Sequence, residues 1–320
     1  MPGSDDRWRP RNIAAFLALG LSLYAALFLW SDATLRQHGR QNPFLRIVTA
    51  PEQADWIILG ASHALPLGFA DMPEILRDKT GQNTLTLAVT GGGPFLMRVI
   101  AERWFADHRA GGVLIVLDAF GFADRRWNMA RLADSDVLPK IPADRTTAAI
   151  LARALPRGLP WQTWMAYVTG FARINDRTRL TPDTWEAEAK FDSAPRPNAA
   201  ATKARIAFLY PGPPDPEALD LGMADLAALI ETAQSHGARV VIVRPPLPEA
   251  FRSDLPDVPG FETQLATVSG RLTVPVIDHS AALPAARNFF DADHLNRTGV
   301  LGWLDAGLAD VLRHPDDGGQ

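Results

Sequence analysis

The stretch Trp56 to Gly68, WIILGASHALPLG, opens as a buried strand and stops at a small-residue turn. Ser62 and His63 stand side by side at that junction. The same pattern recurs along the chain. The run NTLTLAV leads to Thr90 and the glycines Gly91, Gly92 and Gly93, and GVLIVLD ends at Asp118. Further on come ARVVIVRPP and TVPVID. Between these runs lie segments of helical spacing: PFLMRVIAERWFADH with Pro94 in a first-turn position, a long amphipathic helix over about 216–236, and a final helix near 297–312. Continuously apolar strands separated by helices predict an α/β, three-layer doubly wound parallel sheet covered on both faces. Such sheets bind ligands beyond the carboxyl ends of their strands, where Ser62, Gly91 to Gly93 and Asp118 all fall.

Bulk properties set the bounds. A chain of 320 residues, 47% hydrophobic and 21% charged, has room for an ample core. Its net charge of −4 gives no reason to expect nucleic-acid binding. The absence of cysteine excludes disulfides, a thiolate nucleophile and cysteine-ligated zinc. His38, His108, His236 and His314 show no ligand spacing, so neither metal nor cofactor is expected.

Ile13 to Trp30 carries no charge over 18 residues, a length of roughly 27 Å as a helix, near the lower limit for spanning a bilayer. Arg7, Arg9 and Arg11 precede it, Trp30 and Asp32 mark its far edge, and Arg36, Arg40 and Arg46 follow. The expected organisation is a cytoplasmic tail over 1–12, a single-pass signal anchor in the inner membrane over 13–30, and a connector over 31–53. An extracytoplasmic, periplasmic domain over 54–312 and a flexible tail over 313–320 complete it. A cleaved signal peptide and a buried soluble helix are the alternatives for 13–30. The Trp-, Arg- and Pro-rich segment over about 120–215 breaks the strand–helix alternation. It reads as a largely helical insertion over the strand ends, a lid or substrate surface, or else as packing filler.

The second informative stretch is FFDADHLNRTG, Phe289 to Gly299, between the last strand and the last helix. Asp291 and His294 are three apart on a turn, so the carboxylate can accept a hydrogen bond from the imidazole and fix its tautomer. Asn296 or Thr298 can cap the helix that follows.

With Gly60-Ala61-Ser62 first, Gly91 to Gly93 between and Asp291-Ala292-Asp293-His294 last, the chain resembles the SGNH (GDSL-like) hydrolase superfamily over about 54–312. The resemblance implies a nucleophilic Ser62, with His294 as base and Asp291 orienting it. It further implies an oxyanion hole drawn from Ser62, Gly92, Gly93 and an asparagine after the third strand. There this chain has Asp118, which cannot donate when ionised. Asn128 in RRWN is the nearest replacement. The N-terminal anchor, LDAFGFADRRWN and DADHLNRTG are similar to a membrane-anchored branch of the superfamily. That branch includes the D-alanylation proteins of lipoteichoic acid and alginate-type O-acetylation proteins. The likeness implies a serine O-acyltransferase or acylesterase acting on an envelope polysaccharide. It also implies an acyl-donor partner such as a membrane-bound O-acyltransferase.

Two alternatives stay open: an esterase for small esters, and a non-catalytic glycan-binding scaffold, which Asp118 favours and the retained Ser62, Asp291 and His294 oppose. His63, Asp118 and Trp127 are expected to line the substrate site, although His63 should point away from Ser62 and also reads as a satisfied turn histidine. Asp278-His279-Ser280 reads as a loop coincidence. Trp127, Trp161 and Trp164 are either core or sugar-stacking surfaces.

Overall fold

The computed structural model describes residues 10–38, 42–181, 187–194 and 198–313. Arg7, Arg9, Arg40, His314 and most of the C-terminal tail lie outside them. The strands are β1 (Gln53–Gly60), β2 (Thr84–Thr86), β3 (Arg109–Val116), β4 (Arg239–Arg244) and β5 (Val276–Asp278). They form one all-parallel sheet in the order β2-β1-β3-β4-β5. The helices used below are α1 (Pro10–His38), α2 (Met72–Thr80), α3 (Pro94–Phe105), α4 (Trp161–Val168) and α5 (Phe171–Ile174). After them come α6 (Ala199–Leu209), α7 (Pro216–Ser235), α8 (Phe261–Leu272) and α9 (Arg297–Trp303).

Alternate strand residues supply two apolar clusters. Ile57, Leu59, Val113, Ile115, Val240 and Ile242 pack with side chains of α3, α7 and α8. Trp56, Ile58, Leu114, Val116, Val241 and Val243 pack with those of α2 and α9. Successive strand side chains point to opposite faces, so both faces are covered and the strands read as unbroken apolar runs.

Two elements differ from their sequence pattern. NTLTLAV yields a strand of only three residues, but the N–H groups of Leu87 and Val89 continue to donate to Ile58 and Gly60. The last helix breaks at Gly307, whose φ of 121° is left-handed, and resumes over Ala309–Leu312. Over 120–215 the described residues hold short helices and no strand. The 18-residue apolar window of α1 is 0% buried, so the soluble core-helix alternative fails. Among the described residues, α1 is the one helix long and apolar enough to cross a membrane.

The register positions the site. Gly60 of β1 pairs with Val116 of β3, so Ser62 and Asp118 leave the sheet at the same level, side by side where the strand order reverses. Close approach within this pair depends on Gly112, where a Cβ would lie 2.4 Å from the ring of Trp56. That ring cannot retreat, because it is fully buried and its Nε1–H donates to Leu312 O at 2.8 Å. Gly112→Ala is expected to cost about 1–3 kcal/mol of stability, as overpacked cores do. Urea unfolding of the detergent-solubilised chain measures it, and an unchanged midpoint would refute the packing argument.

Candidate active site at the strand ends

Gly60 ends β1 with no room for a side chain: a Cβ there would meet Ala64 Cβ at 2.8 Å and Val116 O at 2.9 Å. The chain then turns into a 3-10 helix over Ser62–Gly68, which buries Ala64, Leu65 and Leu67. Ser62 and His63 open this turn, both nearly fully buried.

The turn carrying His294 is closed by local bonds. Asp291 Oδ1 accepts the N–H of Asp293 at 3.1 Å and of His294 at 2.8 Å, while Oδ2 accepts His294 Nδ1–H at 2.8 Å. Phe290 N–H donates back to His294 O, and the Phe290 ring stacks on the imidazole at 5.6 Å. Asn296, rather than Thr298, caps α9, accepting from Gly299 N at 2.9 Å. Burial opposes ionisation of Asp291, but the His294 N–H beside it prevails and holds its carboxyl below the usual range.

Arg205 of α6 enters between Ser62 and His294. Its Nη2 lies 3.4 Å from Ser62 Oγ and 3.3 Å from His294 Nε2, while its Nε donates to Asp293 Oδ2 at 2.8 Å. A guanidinium only donates, so Nε2 must be the acceptor nitrogen and Nδ1 must carry the proton given to Asp291. Arg205 thus selects the tautomer a general base at Nε2 requires. Ser62 Oγ is therefore held by Arg205 in place of a direct bond to His294.

His63 has both ring nitrogens partnered, as the satisfied-histidine reading expects, and it lines the cavity on the Asp118 side instead of the cleft beside Ser62. Its Nδ1–H donates to Asp118 Oδ1 at 2.6 Å and its Nε2–H to Asp293 Oδ2 at 3.1 Å, and its ring centre lies 5.0 Å from that of His294. Burial alone would favour the neutral ring, yet the two carboxylates override it and push the pKa up to about 10. Asp293, fully buried, is in turn held far below the carboxylate range by His294, His63 and Arg205 against the pull of burial. Asp118 spends one oxygen on His63; the other has no donor among the described residues and borders a separate cavity of about 200 Å³ with Tyr210 and Phe251.

Three of the four expected oxyanion donors are otherwise engaged. Gly92 N–H donates to Val89 O at 2.8 Å and Gly93 N–H to Trp127 O at 2.6 Å. Asn128 Nδ2 donates to Gly121 O at 2.9 Å while its Oδ1 accepts Phe95 N–H, so this amide seals the start of α3 instead of facing Ser62. Gly91 adopts φ +65°, and a Cβ there would strike the Trp127 ring at 2.8 Å. Arg205 Nη2 is a charged donor within 3.4 Å of Ser62 Oγ.

A cleft of about 410 Å³ opens beside Ser62, walled by Phe120, Trp127, Phe208, Arg126, Arg131 and Arg205. Trp127 borders it while being buried, its Nε1–H on Leu209 O at 3.1 Å. Arg126 lies 4.2 Å over the Trp127 ring and 4.9 Å over that of Phe208. Trp164 is half-buried on Ala148 O, and Trp161 is exposed and does not line this cleft. The cluster at 278–280 serves other ends: Ser280 N–H donates to Asp278 and Trp303 Nε1–H to His279.

His63, Asp293 and His294 set three ligand atoms within 4.8 Å of one another, a spacing that suits a metal ion. The three side chains already have protein partners: His63 bridges Asp118 and Asp293, Asp293 also accepts from Arg205, and His294 Nδ1 lies on Asp291.

Arg205 and Asp293 were not recognisable as site residues. Arg205 lies far from either motif along the chain, and Asp293 reads as a spacer inside DADH. Comparison with protein-family models and with curated proteins returns no match to this chain.

Proposed function

We propose that the chain is a membrane-anchored serine O-acyltransferase or acylesterase of the SGNH type. Its substrate would be a cell-envelope polysaccharide or other glycopolymer, and its domain would lie on the periplasmic side of the inner membrane. The observation that carries this is the Asp291–His294 pair, oriented by its own turn, with an unprotonated Nε2 on the Ser62 side of the ring. In the reaction Ser62 Oγ bonds to the acyl carbon of a donor ester as its proton passes to His294 Nε2. The bond to the donor alcohol breaks, and that alcohol leaves with the proton. A polymer hydroxyl, or water, then attacks the acyl carbon and gives its proton to His294. The bond to Oγ breaks and Ser62 is reprotonated. An acyl-donor partner such as a membrane-bound O-acyltransferase follows from the resemblance to the membrane-anchored branch.

Arg205 takes the place of the missing asparagine. Moved off the Ser62–His294 line by the incoming ester, its guanidinium remains beside the carbonyl oxygen. There it supplies the charged donor that Gly92, Gly93 and Asn128 do not, together with the N–H of Ser62 at the first turn of its helix. Arg205→Ala is expected to lower the acylation rate about 10²–10³-fold, as loss of one oxyanion donor does. Arg205→Lys should recover part of it. A rate that rises in Arg205→Ala would show the guanidinium to be a block and would sink this role.

One observation favours a non-catalytic glycan-binding scaffold: Arg205 separates Ser62 from its base. Intact-mass measurement of the full chain in detergent with an activated acetyl ester decides between the readings. An acetyl adduct mapping to Ser62 supports the enzyme. A folded chain that gains no adduct and turns over no ester supports the scaffold.

A further inference from the structure

We propose that the corner between α4 and α5 is immersed in the bilayer leaflet that receives the C-terminal end of α1, giving the domain a second, lipid-contacting point of attachment. This rests on α1 being a membrane span.

Four contacts set the depth of the corner along α1. Tyr24 Oη–H donates to Thr169 O at 3.0 Å. The Phe28 ring fills the space over Gly170, where a Cβ would sit 2.3 Å from Cδ2. Arg179 lies 5.0 Å over the Trp30 ring, and Asp32 pairs with Arg173 at 2.7 Å. Asp32 is the first charge after the apolar run and marks the headgroup level. Tyr24, eight residues earlier, lies about 12 Å deeper along a helix axis. Thr169 and Gly170 are thereby held at hydrocarbon depth, whereas Arg173 and Arg179 are held at the headgroups.

The exposed side chains agree with that depth. Trp161, Met165 and Val168 recur at helical spacing on the open face of α4, followed by Phe171, which is 58% exposed. The opposite face, with Thr163 and Tyr167, is buried against the domain. The polar groups of the corner are satisfied internally, as lipid demands. Thr169 Oγ1–H donates to Met165 O, Gly170 N–H to Tyr167 O and Asn175 Nδ2 to Phe171 O, while Thr169 O is capped by Tyr24. Trp161 and exposed Arg177 suit the interface, where amphipathic rings and arginines accumulate.

The absence of cysteine allows single labelling sites in the full chain. Leu19→Cys, Val168→Cys, Phe171→Cys and Glu231→Cys chains, each carrying an environment-sensitive fluorophore, would be reconstituted into phosphatidylcholine–phosphatidylglycerol vesicles containing nitroxide-labelled lipid. All four positions are exposed, and retention of the parent melting transition confirms folding. Probes at 19, 168 and 171 are expected to lose roughly half or more of their emission, and the probe at 231 to keep it. Quenching at 19 with 168 and 171 behaving like 231 would overturn the inference and leave the span standing; the face would then meet water or another protein. An unquenched probe at 19 would remove the span reading and this inference with it.

Discussion

Ester turnover by the Ser62→Ala chain is expected to fall about 10⁴–10⁶-fold, with no acyl group retained on the protein. Ser62 shares the Arg205 guanidinium with an imidazole whose far nitrogen is fixed on a carboxylate, and no cysteine exists to replace it. His294→Ala should fall by a comparable factor, because an unassisted hydroxyl is a poor nucleophile at neutral pH. The double variant should be no worse than either single one, since the two groups act as a unit. Steady-state hydrolysis of an activated ester, run beside the intact-mass assay, measures all three. Ser62→Ala retaining turnover within about tenfold of the parent chain would end the serine mechanism.

His63→Leu is the second large effect, and it concerns stability. It would leave Asp118 and Asp293 buried with an apolar side chain between them. Removing one partner from a buried ion pair costs about 3–5 kcal/mol. The side chains of His63, Asp118 and Asp293 are 4%, 8% and 0% exposed, so solvent screens little of this. Urea unfolding followed by tryptophan fluorescence reads the loss, and adding Asp118→Asn to His63→Leu should restore part of it by removing one stranded charge. A loss below about 1 kcal/mol would show that the carboxylates do not depend on His63.

The same network predicts a pH dependence. The folded His63 pKa of about 10 lies above the unfolded histidine value, so its stabilisation is complete below about pH 6.5. It declines as pH rises from there and is gone once pH passes the folded value. Asp293, held low in the folded state, contributes in the opposite direction, its share fading as pH falls below the unfolded carboxylate value. Imidazole ¹⁵N resonances of His63 should keep their doubly protonated positions through pH 8. A neutral His63 at pH 8 would contradict the bridging geometry.

Several features of this protein are properties of short segments, and sequence alone determined them. Unbroken apolar runs such as WIILG and VLIV, spaced by helical patterns, require a parallel sheet covered on both sides, because alternating polar residues are missing from both faces. The Asp291–His294 bond spans one turn, and Asn296 caps the next helix, so both depend on neighbours a few residues away. The uncharged stretch from Ile13 to Trp30 likewise states its own length and polarity.

What joins distant segments was decided only by the tertiary structure. His63 reads as a turn residue until β3 brings Asp118, and the last turn brings Asp293, to its two nitrogens. Gly92, Gly93 and Asn128 look like free donors until Val89, Trp127 and Gly121 accept their hydrogens. Arg205 sits on a helix with little buried surface and no motif, yet it stands between Ser62 and His294. Trp161 could as well be core, and only the tertiary structure, which buries Thr163 and Tyr167 on the opposite face of α4, leaves it outside. A hydrogen bond or ion pair depends on partners that arrive within about 3 Å of each other. Sequence shows which groups can donate or accept, whereas the fold chooses which of them meet.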